Sequence, residues 1–197
     1  TYSLYMFSGL IISIIAAQVD SILIAGMLGL GSTTIFLYAE YFSTLILVPY
    51  RSFVNVISPV FAECWRTKDR VKLKEVYQKS ALNQLIAGLF IFGMIWLNIE
   101  FIFKIIRFDL KEGLMALLFL SLARILDISF GLNSELLTTS KNWRFNFYSY
   151  VGFLLLFLPT NFILIKSMGI TGAAISNLLT FLCLNISRFI FIIKKYQ

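Results

Sequence analysis

Six long apolar runs constrain this chain more than anything else in it. They cover about residues 4–28, 34–62, 80–102, 113–138, 145–165 and 171–193. A helix needs about 20 mostly apolar residues to cross the hydrocarbon of a bilayer. Each run reaches that length, so the expected fold is an all-α membrane protein with six transmembrane helices. Unbroken runs speak against a transmembrane β-barrel, whose strands alternate over about ten residues. Charge speaks against a soluble fold: 14% of the 197 residues are charged, where an average soluble domain has about 25%. The first run is too long for a signal peptide and has no basic front end. Because the chain opens on Thr1 inside that run, it is expected to be part of a longer protein.

Six crossings put both ends on one side of the membrane. Ten of the 17 basic residues then share that side: Arg66, Lys68, Arg70, Lys72, Lys74, Lys79, Lys141, Arg144, Lys194 and Lys195. Lys104, Arg107, Lys111 and Lys166 take the other side. Basic residues accumulate in cytoplasmic loops, so both termini of this segment are expected in the cytoplasm. The net charge of +7 is explained by membrane edges, and no nucleic-acid partner is implied. The loop 63–79 alternates Val71, Leu73, Val76 and Tyr77 with basic residues. It reads either as a short helix on the anionic leaflet or as an ordinary loop holding topology.

Ionisable residues inside apolar runs carry the functional content. Each costs about 2.5–3.5 kcal/mol at a helix centre, so it normally faces a cavity or a partner. At 100° per residue, Glu40, Thr44, Arg51, Asn55 and Ser58 share a stripe of the second run. Arg124, Asp127, Gly131, Glu135 and Thr138 share one on the fourth. Gly9, Ser13 and Asp20 align on the first, and Asn177, Thr180 and Arg188 on the sixth. Gln84 and Asn98 share a face of the third run with Ala87 and Gly88 alongside.

One polar face per helix implies a hydrated interior. Arg51 and Arg124, with Asn55, would make it cationic and suited to an anionic substrate, because guanidinium keeps its charge and binds phosphate or carboxylate through a planar fork. Asp20, Glu40, Asp127 and Glu135 would pair with those cations or carry a coupling ion. Alternatives stay open. Arg124 and Asp127 are spaced to pair with each other, Arg51 could pair with Glu40 or Asp20, Arg188 could snorkel toward Lys194, and the buried asparagines could bridge helices. Pro49 and Pro59 interrupt the second helix and read as hinges.

The absence of histidine removes Ser-His and Cys-His catalysis and histidine-ligated metal. Cys64 and Cys183 lie far apart and form no CxxC, so no metal or cofactor is expected.

With these elements in place the chain resembles a known family. Gln18-Val19-Asp20-Ser21-Ile22-Leu23-Ile24-Ala25-Gly26-Met27-Leu28-Gly29 resembles the Asp-containing seventh helix of the polysaccharide-exporter branch of the multidrug/oligosaccharidyl-lipid/polysaccharide (MOP) superfamily. Leu47-Val48-Pro49-Tyr50-Arg51, then Pro59-Val60 and a basic loop, is similar to its eighth helix and cytoplasmic exit. Gly169-Ile170-Thr171-Gly172-Ala173-Ala174-Ile175-Ser176 resembles the small-residue start of its twelfth. Phe36 departs from the family, where many relatives have Gly.

The resemblance covers essentially all 197 residues as a C-terminal six-helix lobe of a 12–14-helix transporter, with the N-terminal lobe as its missing partner. It implies a Wzx-like flippase of the bacterial inner membrane, not an enzyme. Such proteins move lipid-linked oligosaccharide, usually on undecaprenyl pyrophosphate, by alternating access, as in O-antigen export. Arg51 and Arg124 would then contact pyrophosphate or sugar acids, with Asp20, Asp127 and Glu135 as pairing or coupling groups.

Other classes remain in view. A cation-coupled multidrug exporter of the same superfamily would have acid-dominated central stripes. A membrane scaffold for polysaccharide assembly would need no cavity. A membrane-embedded enzyme is disfavoured by the missing histidine and by an outer loop, about 103–112, with only Asp109 and Glu112 as acids.

Overall fold

A computed structural model describes residues 18–106 and 110–196. The described residues are almost entirely helical and contain no strand. Most of the first expected run, with Gly9 and Ser13, lies outside the described residues, as do Arg107 and Asp109. The helices are α1 (Gln18–Leu28), α2 (Leu30–Thr44), α3 (Val48–Thr67), α4 (Arg70–Leu97), α5 (Ile99–Ile106), α6 (Leu110–Ser129) and α7 (Asn133–Thr138). A last helical stretch, Trp143–Tyr196, folds back at Gly169, giving α8 (143–168) and α9 (170–196).

Among the described residues, three stretches are long and apolar enough to cross a membrane: Leu30–Thr67, Arg70–Leu97 and Trp143–Lys195. Their outer surfaces are apolar as well, with Leu97 85% exposed and Leu155 70% exposed. Water would penalise that surface at about 25 cal/mol per Å², whereas lipid tails accept it. The chain is an all-α, membrane-associated protein.

α6 forms the axis of the bundle, packing on α2, α4 and the α8–α9 hairpin. Its Ala116, Leu117, Leu120 and Ile128 are buried among Ile24, Phe36, Ile46, Ile165 and Ala173. Helices in lipid gain little from hiding apolar surface and associate through close packing, which favours small residues. At Gly88 a Cβ would meet the tip of the Ile128 side chain, so glycine leaves room for Ile128 in its present position between α4 and α6.

Several boundaries differ from the sequence expectation. The run 34–62 is not one regular helix: Leu45–Leu47 form a 3₁₀ turn between α2 and α3. Pro49, in the first turn of α3, has no N–H to offer the Leu45 carbonyl, so the α-helical ladder stops there. The run 113–138 is broken between α6 and α7, where Gly131 has φ 71°. α4 starts at Arg70, so most of the expected loop 63–79 is helical. Asp69 caps α4 by accepting a hydrogen bond from Lys72 N at 2.9 Å. With 28 residues, α4 is about 42 Å long, so its basic first turns can project beyond about 30 Å of hydrocarbon.

The basic residues gather toward one end of the bundle. Cys64, Leu73, Leu136, Leu137 and Ile192 share one apolar cluster there, with Phe145 and Phe191 packed on it. Arg66, Lys68, Arg70, Lys72, Lys74, Lys79, Lys141, Arg144, Lys194 and Lys195 are all exposed. Lys166 is exposed beside Ile165, in the other apolar cluster.

Candidate functional site

Two polar clusters sit inside the apolar bundle, and α9 contributes to both. Asn177, Thr180, Phe181, Asn185 and Arg188 follow helical spacing on one side of α9. They span 11 residues, about 16 Å along the axis.

The first cluster centres on Asp20 of α1, which is buried. One carboxylate oxygen accepts a hydrogen bond from Asn161 Nδ2 of α8. The other accepts from Asn177 Nδ2 of α9 at 2.8 Å. Asn177 Nδ2 also donates to the Ala173 carbonyl at 3.1 Å. The asparagines therefore bridge helices, as one sequence reading anticipated, and they hold the buried acid that links α1 to the hairpin. Thr160 and Ser176 add a hydroxyl pair at 3.1 Å between α8 and α9.

Within electrostatic reach of Asp20 lie Glu40 and Arg124. Arg124 Nη2 is 3.9 Å from Glu40 Oε1, and both side chains are largely buried. The guanidinium lies 5.2 Å from the Phe181 ring centroid, and Arg124 Nε has no hydrogen-bond partner among the described residues. Arg124 thus pairs across the bundle with Glu40 rather than along its own helix with Asp127. Asp127 instead accepts from Asn185 Nδ2 at 2.7 Å.

The second cluster lies toward the basic end. Tyr50 donates to Glu135 Oε2 at 3.0 Å. Arg188 is buried, donates from Nε to Ser149 Oγ at 3.0 Å, and stacks 4.3 Å from the Tyr150 ring centroid. It does not snorkel: α8 supplies a hydroxyl and a ring that hold it inside. Its Nη2 is without a partner among the described residues. Asn146 Nδ2 donates to Thr138 Oγ1 at 2.9 Å and Ser134 Oγ at 3.2 Å, and Ser134 contacts Tyr150 at 3.3 Å. Tyr77 donates to the Phe130 carbonyl and Asn133 Oδ1 at 2.5 and 2.6 Å. This ties α4 to the α6–α7 break. A cavity of about 70 Å³, lined among others by Tyr50, Asp127, Ser134, Tyr150 and Arg188, sits among these groups. That is room for about two water molecules.

The residues expected to share one cavity are divided. Arg124 with Glu40 and Asp20, and Asp127 with Glu135, lie inside the bundle. Arg51 and Asn55 are exposed on α3 and Arg51 makes no ion pair among the described residues. The cause is the Leu45–Leu47 turn. Three residues at 120° instead of 100° rotate everything after them by about 60°. The rotation breaks the stripe expected from Glu40 to Ser58 and turns Tyr50 inward where Arg51 was expected. Pro49 sits at the start of α3 and Pro59 inside it, where it is exposed. On α4, Gln84 and Gly88 share the buried face, but Asn98 caps the helix end and is exposed.

Sequence reasoning passed over Tyr50, Ser149 and Tyr150, and set Asn161, Asn185 and Arg188 aside as structural or interfacial. Arg188 carried a usable signal, since it aligns with Asn177 and Thr180. No group of three or more Cys, Asp or Glu arranged to hold a metal occurs among the described residues.

No protein-family model, curated protein or solved structure matches the chain significantly.

Proposed function

We propose that this chain is a lobe of a membrane exporter, and that its exposed α3 face borders the path of an anionic substrate. The observation that carries this reading is Arg51. It stands 15 residues before Arg66 in an apolar helical stretch of 38 residues, about 22 Å along the helix from the basic end, which in this reading puts it within the hydrocarbon. It is exposed, as are its neighbour Ser52 and Asn55 one turn on. Against lipid, such an arginine costs about 2.5–3.5 kcal/mol. A water-filled passage or a second protein lobe removes that cost.

The substrate class we favour is lipid-linked oligosaccharide. Its pyrophosphate needs a charged, fork-shaped donor that survives in low dielectric, which Arg51 supplies. In this reading the protein flips polysaccharide repeat units across a bacterial inner membrane by alternating access. Six helices would form the lobe, and a second lobe would close the α3 face. Arg124, Asp20 and Glu40 would set the shape of the lobe from inside.

A second reading has its own support. Four carboxyl groups, Asp20, Glu40, Asp127 and Glu135, stand in the bundle against two guanidinium groups, Arg124 and Arg188. An acid-rich interior suits a cation-coupled exporter of cationic drugs. The deciding experiment reconstitutes the complete protein in vesicles with a fluorescent lipid-linked sugar or a cationic dye. Flipping of the sugar lipid, lost in Arg51→Ala and partly kept in Arg51→Lys, supports the first reading. Movement of the dye alone, unaffected by Arg51→Ala, replaces it with the second.

A further inference from the structure

The α8–α9 hairpin carries an open groove that borders the second polar cluster through Ser149, the partner of Arg188, and Leu184, which lines both spaces. Its volume is about 330 Å³ and its wall is mostly apolar. Phe145, Gly152 and Leu156 form the α8 side, and Thr180, Cys183 and Ser187 the α9 side. From Phe145 to Leu156 is 11 residues, about 16 Å. That matches half of a hydrocarbon core about 30 Å thick, the depth of one leaflet.

The groove starts at the basic end. Arg144 immediately precedes Phe145 and lies one turn from Tyr148, another lining residue. Lys194 follows Ser187 by seven residues, which returns it to the same side of α9 within about 20°. Both are exposed, and neither has an ion pair among the described residues. The two helices that form the groove bring only basic charged side chains to this end. After Glu135 the sequence contains no Asp or Glu, and Lys141, Arg144, Lys194 and Lys195 stand at the basic end. Phe145 and Phe191 stack at 3.8 Å across the two helices near this mouth, and Lys195 lies 5.6 Å from the Phe191 ring centroid. Basic residues at a membrane edge attract anionic headgroups, and a long apolar crevice beneath them accepts a chain.

We propose that the α8–α9 groove is a binding site for an anionic glycerophospholipid. One acyl chain lies along the groove, and the phosphate sits between Arg144 and Lys194. This assignment is independent of what the protein transports.

The test uses the purified protein in nanodiscs doped with phosphatidylglycerol or phosphatidylcholine bearing a diazirine in one acyl chain. After irradiation, labelling is mapped by peptide mass spectrometry. Phe90, exposed on α4, reports ordinary boundary lipid. Segments 145–156 and 180–187 are expected to label roughly fivefold or more strongly with the phosphatidylglycerol probe than with the choline probe. At Phe90 the two probes should label alike. Arg144→Gln with Lys194→Gln should bring the groove ratio down to that at Phe90. Gly152→Trp should reduce groove labelling by both probes. A Cβ at Gly152 meets nothing within 4 Å, so this variant fills the groove without forcing the helices apart, and Gly152→Ala should label as wild type. Equal labelling by both probes in the wild-type groove, or none there with Phe90 labelled, would overturn the proposal. The second result would mean that protein covers the groove.

Discussion

Arg124 of α6 and Glu40 of α2 face each other as opposite charges inside the bundle. At 3.9 Å they are close enough for each charge to lower the other's cost in low dielectric. Removing one partner of a fully buried pair costs about 3–5 kcal/mol, mostly because the other charge is stranded. This pair retains some exposure, so the cost should be smaller, about 1–3 kcal/mol for Arg124→Leu or Glu40→Leu. The double variant should be more stable than either single one. Thermal unfolding in detergent across the four proteins measures this coupling; strictly additive losses would show that the residues act separately. Asp20 differs, because its two bonds come from neutral amides, Asn161 and Asn177. Asn177→Leu leaves one carboxylate oxygen without a partner, and should destabilise by about 1–3 kcal/mol. Asn177→Asp should be worse than the leucine, since it sets two carboxyl groups against each other in the same position. If Asn177→Asp instead proved the milder change in the same unfolding assay, the hydrogen bond to Asp20 would not be what Asn177 is there for.

At the scale of the element, the breaks between helices decide what each polar stripe becomes. Gly169 turns the hairpin with φ 63° and ψ −141°, close to a region that only glycine populates. Gly169→Ala is expected to cost about 1–3 kcal/mol, whereas Gly152→Ala, in mid-helix and open space, should be neutral or stabilising. A lower melting temperature for the first variant alone checks this contrast. The same breaks set how far the sequence could be read. α9 is regular from Ile170 onward, so the alignment of Asn177, Thr180 and Arg188 was visible from 100° spacing alone. The alignment from Glu40 to Arg51 failed because three residues of 3₁₀ turn intervene, and an apolar Leu-Ile-Leu gives no local sign of such a turn beyond the nearby Pro49. The fourth run hid the break at Gly131 because apolar residues continue through it. Partners on other helices, such as Ser149 and Tyr150 for Arg188, are set by packing and not by periodicity, and so were not legible.

At the scale of the whole molecule, the outer surface has to be divided between lipid and something wetter. Leu97, Phe90 and Leu155 mark lipid-compatible faces, while Arg51, Ser52 and Asn55 interrupt the apolar surface of α3. If that interruption borders water, single cysteines at positions 51 and 55 should react with a membrane-impermeant maleimide at rates comparable to a loop control at Lys141. Cysteines at 124 and 127, held inside the bundle, should react at least tenfold more slowly. The background for this series replaces Cys183, which is exposed, and Cys64, which is buried. Added substrate should slow labelling at 55, where Arg51 is retained, if the α3 face lines its path, and should leave 124 and 127 unchanged. Protection at 51 and 55 to the level of 124, in the complete protein and without substrate, would mean that protein packs on this face with no passage between. The α3 arginine would then be half of a structural contact, and the exporter reading would lose the observation that carries it.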